Sequence, residues 1–198
     1  NEGGLQFRKE SMPIGDSRAV TIVDVDGDNW LDIVFSRRAS APNYFRNGGD
    51  GTFLLESLPN VSKPLYAITW ADFDKDGDLD LVGGTYDAAL LNDFGQDFLA
   101  SGQAGVFYYE HQAGKFAEKR LAANAQALAI AATDLNGDDR EDLLVGNDFA
   151  VPDVAWYNTP QGWQEATPFT TMSHSTMSFD AGDINNDGSG LNDLIYIP

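Results

Sequence analysis

Four times along the chain a tight cluster of aspartates interrupts otherwise apolar, β-branched sequence, and each cluster has the same plan. "DVDGDNWLD" begins at Asp24, "DFDKDGDLD" at Asp72, "DLNGDDRED" at Asp134 and "DINNDG" at Asp183, so the starts lie 48, 62 and 49 residues apart. Self-similarity at a period of this size belongs to propellers and solenoids, in which one small unit recurs and stacks. It limits the chain to a repeat architecture more firmly than any property of its composition.

The sequence around each cluster supplies the unit. A short apolar stretch precedes it ("AVTIVD", "AITWAD", "LAIAATD", "MSFDAGD") and another follows ("LDIVF", "LDLVGG", "DLLVGN", "DLIYIP"), as expected for two strands joined by an acidic turn. In the first three copies a second hairpin comes next. "NYFRNGGDGTFLLES", "VFYYEHQAGKFAEK" and "VAWYNTPQGWQEA" each set a glycine-containing turn between aromatic runs. Four short antiparallel strands in just under 50 residues make a propeller blade. The expected fold is therefore an all-β propeller region, with repeats at 12–57, 58–120, 121–168 and 169–198 and an outer strand of a preceding blade at 4–11. About three and a half blades are present, so the chain is expected to be part of a larger propeller or to be completed by a second chain. The long middle spacing comes from an insertion at 87–105, read as a short helix or a protruding loop.

The acidic residues are not spread as a solvated surface would spread them. The four loops hold 17 of the chain's 31 acidic residues, counting Glu141 and Asp193. Like charges packed this closely repel, and a bound cation removes that cost. In the second loop Asp72, Asp74 and Asp76 alternate so that their carboxylates can converge. Gly77 allows the sharp bend, the carbonyl of Asp78 can face the centre, and Asp80 closes the shell from the next strand. Oxygen-only donors in a flexible loop suit Ca²⁺, and the opening half matches the EF-hand pattern, although an Asp at position nine replaces the distant Glu.

The equivalent ligands in the first loop are Asp24, Asp26, Asp28, Trp30 and Asp32. In the third they are Asp134, Asn136, Asp138, Arg140 and Asp142, and in the fourth Asp183, Asn185, Asp187, Ser189 and Asp193. Asn29 and Asp139 stand where Gly77 makes the bend, and both residue types tolerate a left-handed backbone. In the fourth loop Asp193 comes two residues late, so its closing ligand is the irregular one. About four Ca²⁺ ions are expected in all.

A formal charge of −19 excludes the basic stripe that nucleic-acid binding needs and disfavours anionic membranes. No apolar run approaches bilayer-spanning length, so membrane insertion is not expected. The absence of cysteine removes disulfides, thiolate metal sites and cysteine nucleophiles. The two histidines are His111, placed in a hairpin turn and solvated, and His174, ahead of a strand. Trp70, Trp156 and Trp163 read as core, and Trp30 as the exposed aromatic.

The loop with its following strand, as in "ADFDKDGDLDLVGG", resembles the calcium-binding propeller repeats of the FG-GAP and VCBS type. A closer resemblance, to the cartilage acidic protein family and its bacterial relatives, is carried by "GNDFAVPDVAWYN" (146–158) and "HSTMSFDAGDINNDG" (174–188). The resemblance implies a non-enzymatic, calcium-stabilised propeller that is secreted, periplasmic or on the cell surface. Structural, adhesive or protein-interaction roles follow, with a protein or glycan ligand or further propeller blades as partner. The alternative is a lectin or a calcium-dependent polysaccharide-active enzyme on the same scaffold.

Overall fold

A computed structural model describes residues 9, 11–95, 97–149, 151–171, 175–186 and 193–197, the last five as backbone. The proposed outer strand at 4–11 falls almost wholly outside these residues.

Three four-stranded antiparallel sheets follow one another along the chain, each with its strands in sequence order. The first holds β1 (Ser17–Val23), β2 (Asp32–Arg37), β3 (Asn43–Asn47) and β4 (Phe53–Ser57). The second holds β5 (Ala67–Ala71), β6 (Asp80–Gly84), β7 (Val106–Gln112) and β8 (Lys115–Ala122). The third holds β9 (Ala127–Thr133), β10 (Asp142–Asn147), β11 (Val154–Thr159) and β12 (Gly162–Ala166), and a pair follows, β13 (Ser178–Gly182) with β14 (Asp193–Ile197). The four strands expected in each of the first three copies, the two expected in the fourth, and their order are borne out.

The sheets stack face to face, and strand periodicity shows how. Successive side chains of a strand point to opposite faces. On β6, Leu81 joins a core with Val34 and Tyr44 of the first sheet, while its neighbour Val82 joins Leu143, Val145 and Trp156 of the third. On β10, Leu143 faces the second sheet and Leu144 packs towards Phe179 of β13. Because both faces are covered, β6 and β10 are buried along their whole length, whereas the outer strand β4 is mostly exposed. Burying a leucine such as Leu81 completely contributes about 2 kcal/mol. The first strands of successive sheets lie side by side, β1 against β5, β5 against β9 and β9 against β13. The second strand β6 also approaches β9 closely, at Gly84, where a Cβ would sit 2.4 Å from that of Ala127. This is why the buried run "LVGG" ends in glycine.

The insertion between β6 and β7 forms two short helices, α1 (Asp87–Phe94) and α2 (Asp97–Ala100), around a small core of Leu90, Phe98 and Ala104. The buried carboxylate of Asp87 ties it down, accepting the Ala125 N–H (2.9 Å) and the Thr85 hydroxyl. Among the described residues no helix is long and apolar enough to cross a membrane.

Candidate metal-binding loops

Each acidic loop joins the first two strands of its sheet and is closed by one cross-strand pair. Val23 pairs with Asp32, Ala71 with Asp80, Thr133 with Asp142 and Gly182 with Asp193. The position-nine aspartate therefore opens the second strand in every copy. In the fourth copy the two extra residues lie within the loop, and the strand pairing is in the same register as elsewhere.

Within the loop the backbone is drawn around the first aspartate. Asp24 Oδ1 accepts the N–H groups of Gly27 (2.9 Å) and Asp28 (3.2 Å), and its Oδ2 accepts that of Asn29 (2.8 Å). Asp72 accepts from Asp76 (3.0 Å) and Gly77 (3.1 Å). Asp134 accepts from four: Asn136, Gly137, Asp138 and Asp139. The fifth position repeats the device on a smaller scale, with Asp28, Asp76 and Asp138 each accepting from the residue two ahead. Such a concave array of inward N–H groups requires left-handed backbone. The sixth position supplies it at Asn29 (φ 68°), Gly77 (φ 99°) and Asp139 (φ 63°), as expected. The fourth position supplies it too, at Gly27, Lys75, Gly137 and Asn186. Lys75, with φ 64°, is the costly member, because a Cβ crowds this region. Its ammonium group reaches the Asp139 carbonyl of the next loop.

In two loops the alternate carboxylates converge. One oxygen each from Asp24, Asp26 and Asp28 lies within 4.8 Å of the others, and the same holds for Asp72, Asp74 and Asp76. In the third loop Asp134 and Asp138 flank Asn136, which replaces a charged donor with a neutral one. In the fourth, Asp183 and Asn185 are described, whereas Asp187, Ser189 and the side chain of Asp193 lie outside the described residues. At the seventh position the Trp30 side chain is 51% exposed and its ring lies over Gly49, where a Cβ would come within 2.5 Å of Nε1. Asp78 is exposed and Arg140 is partly buried.

The position-nine aspartates stand apart from the triads. Asp32, Asp80 and Asp142 are fully buried, and each holds its sheet together. One oxygen accepts the N–H of loop position two: Val25 (3.0 Å), Phe73 (3.3 Å) or Leu135 (3.0 Å). The other accepts an N–H from the third strand: Asn47 (2.8 Å), His111 (2.7 Å) or Asn158 (2.8 Å). Asp80 additionally accepts the Tyr108 hydroxyl at 2.9 Å. Burial pushes the carboxyls of Asp32, Asp80 and Asp142 above the ordinary range, Asp80 to about 6, despite these hydrogen bonds. These contacts occupy one lone pair on each oxygen of Asp32 and Asp142, whereas Asp80 Oδ2 accepts both Phe73 and Tyr108 and only its Oδ1 keeps a lone pair for a cation.

Sequence reasoning missed the third-strand partners. Asn47 Nδ2 donates to the Leu31 carbonyl (3.1 Å), and Asn158 Nδ2 donates to the Phe73 carbonyl of the preceding loop (2.6 Å). Their equivalent is His111, and here the expectation of a solvated turn is corrected. His111 lies on β7, is 7% exposed and stacks on Phe116 with centroids 4.8 Å apart, while the turn itself falls at Ala113 and Gly114. An apolar residue at loop position two was the available signal: Val25 and Phe73 are buried, the latter against Trp163 of the third sheet. Each of these loops is thus wedged between its own sheet and the next.

The donor set is entirely oxygen and mostly anionic, which matches a hard divalent cation such as Ca²⁺. A family model described as FG-GAP-like repeat matches residues 12–83 and 134–190. The chain belongs to the FG-GAP-like repeat family. No curated protein gives a match to it. The matched segments of this FG-GAP-like chain take in the first two acidic loops in full, the third in full and the fourth as far as Gly190.

Proposed function

We propose that this FG-GAP-like chain is a calcium-binding, propeller-type interaction module of an exported protein, similar in kind to the cartilage acidic protein family, and that it carries no catalytic centre. The observation that supports this most directly is the convergence of three carboxylates in each of two loops, in register with the sheets. Three anions within 4.8 Å of one another destabilise an empty loop and favour a divalent cation. Asp72, Asp74 and Asp76 would hold one ion and Asp24, Asp26 and Asp28 another. Asp134, Asn136 and Asp138 offer a weaker set, and Asp183 with Asn185 begin a fourth.

The role assigned to the ion is structural. In the first two loops the position-two residue, Val25 or Phe73, is buried against the next sheet, so ordering the loop orders the contact between sheets. Millimolar extracellular calcium suits sites of this kind, which is why an exported location fits the reading. The partner would be a protein or glycan, or further blades, met by a surface that the ions keep rigid. Full occupancy of four sites would take the formal charge from −19 to −11.

Calorimetric titration of the chelated protein with Ca²⁺ tests the reading, followed by thermal unfolding with and without chelator. Uptake of two or more ions and a melting temperature raised by several degrees are expected, since an ion that binds only the folded loop stabilises it by mass action. No heat of binding together with an unchanged melting temperature would sink the proposal.

A further inference from the structure

On the face that carries the acidic loops, a cleft of about 160 Å³ opens between the first and second sheets. Asp26, Tyr44, Pro59, Asp78, His111 and Phe116 line it. Its floor is apolar and aromatic and its rim is anionic. Two features set it apart from the loops themselves.

The first is a carboxylate with no duty in its loop. Position seven is expected to serve a cation through its main-chain carbonyl, so the Asp78 side chain is spare. Its N–H donates to Asp76 (2.9 Å), but its carboxylate accepts no hydrogen bond from the described residues. The neighbouring loops carry Trp30 and Arg140 at this position. Among the described residues no lysine or arginine lies within ion-pair distance of Asp78, in contrast to Asp26, which has Arg46 at 3.7 Å.

The second is a buried imidazole facing the cleft. His111 is 93% buried, yet among the described residues neither ring nitrogen makes a hydrogen bond. Its Nδ1 stands 3.8 Å from Asp78 Oδ2, too far for a direct bond and close enough for one small group to bridge. An unprotonated imidazole nitrogen and a carboxylate are both acceptors. Such a pair is complemented by a cation with several N–H donors, and the walls of Phe116, Pro59 and Tyr44 suit an alkyl stem or a flat guanidinium face.

We propose that this cleft between the first two sheets binds an alkyl-guanidinium or alkyl-ammonium group, its head held by Asp78 and His111 and its stem against Phe116 and Pro59. The net charge of −19 draws cations towards the surface as a whole, and this cleft gives one of them walls and directed acceptors. The group is supplied either by a basic side chain of a partner protein or by a free amine. No metal is involved, so this site stands or falls independently of calcium in the loops.

The test uses agmatine, n-butylammonium and a capped pentapeptide with a central arginine, each titrated into the whole chain. The readout is the ring Cε1–H signal of His111, assigned with a His174→Asn variant because the chain has only these two histidines. Saturable movement with a dissociation constant of about 1 mM or tighter is expected. Asp78→Asn should weaken it at least about tenfold while the rest of the spectrum shows the fold intact. Both calcium-saturated and chelated protein should respond. A peptide that binds several-fold tighter than agmatine points to a partner's side chain, and equal affinities point to a free amine; either supports the site. The proposal is overturned by an unmoved His111 signal, by an equal response to uncharged n-butanol, by an Asp78→Asn variant that binds as well as the parent, or by abolition with calcium, which would place the cations in the first loop.

Discussion

The second and third acidic loops have the same length, close on the same cross-strand pair and differ in how they handle their charge. In the third, Asn136 removes one carboxylate and Asp134 gathers four backbone N–H groups. Burial alone would push the Asp134 carboxyl up, but those four donors more than offset it and the net shift is downward. In the second, three carboxylates converge, Asp72 has two donors, and burial with neighbouring carboxylates pushes Asp74 upward. The third loop satisfies itself, whereas the second leaves its charge uncompensated. The first loop takes a third course, with the Arg46 guanidinium 3.7 and 3.9 Å from Asp26 and Asp28. One motif therefore yields three electrostatic settings, and the need for a cation should be greatest in the second.

The largest effect separates the buried aspartates. In chelator, Asp80→Ala leaves three donors without a partner, those of Phe73, His111 and the Tyr108 hydroxyl, and should cost roughly 3–5 kcal/mol. Asp142→Ala leaves two, Leu135 and Asn158, and should cost about 2–3 kcal/mol. Urea unfolding measures both. If the third loop suffers as much as the second, the proposed hierarchy is wrong.

Next in size is the response to calcium. Asp76→Ala should remove the strongest calorimetric transition and most of the thermal gain on adding calcium. Asp138→Ala should remove a weaker one, because a neutral Asn136 already sits beside it. Arg46→Gln should tighten the first loop by several-fold, since it deletes a competing cation. Equal losses from the Asp76 and Asp138 variants would erase the distinction between the two loops.

The pH dependence should reverse with the metal. The folded-state pKa of Asp80, raised by burial to about 6 from an ordinary 3.8, means that the folded chain holds this proton more tightly than the unfolded one. Its stabilising contribution is fully present below the ordinary value and is lost as pH rises through about 6. Asp32 and Asp142 act in the same direction, while Asp134, shifted down, opposes them at the acid end. In chelator the chain should therefore be more stable at about pH 5 than at about pH 7.5. With calcium the order should invert, because protons compete for the ligands. Melting curves across that window in both buffers are the check, and parallel trends would count against a cation in the loops.

Most of this architecture was legible because it rests on local pattern. The period-two strands, the loop spacing and the bend at Asn29, Gly77 and Asp139 all follow from residue types a few positions apart. What escaped was long-range. No local pattern says that Asp80 turns inward to meet His111 and Tyr108, 31 and 28 residues further on, or that Asn158 reaches back 85 residues to Phe73. His111 was misplaced for the same reason: an isolated polar residue beside a glycine turn looks solvated until the neighbouring sheet is laid over it. The 87–105 insertion was ambiguous because its helix has no side-chain N-cap and a modest apolar face, and Asp87 fixes it through a distant backbone N–H.

The smallest predicted effect tests the comparison at one residue. At loop position four the first and third loops have glycine, and the second has Lys75 in the same left-handed conformation. Lys75→Gly relieves a strain of about 1–2 kcal/mol. It also adds backbone freedom to the unfolded chain, costing roughly 0.5–1 kcal/mol, and it breaks the link from the ammonium group to the Asp139 carbonyl. These terms nearly cancel, so stability in chelator should move by less than about 1 kcal/mol. Calcium affinity should not stay put. The variant removes the one positive charge within the second loop and leaves Asp72, Asp74 and Asp76 as they are, so that site should tighten a few-fold at low ionic strength and less at high salt. The third loop, its own charge unaltered, should change little. If instead it is the third loop that responds, the lysine matters for its grip on Asp139 rather than for the charge of its own loop.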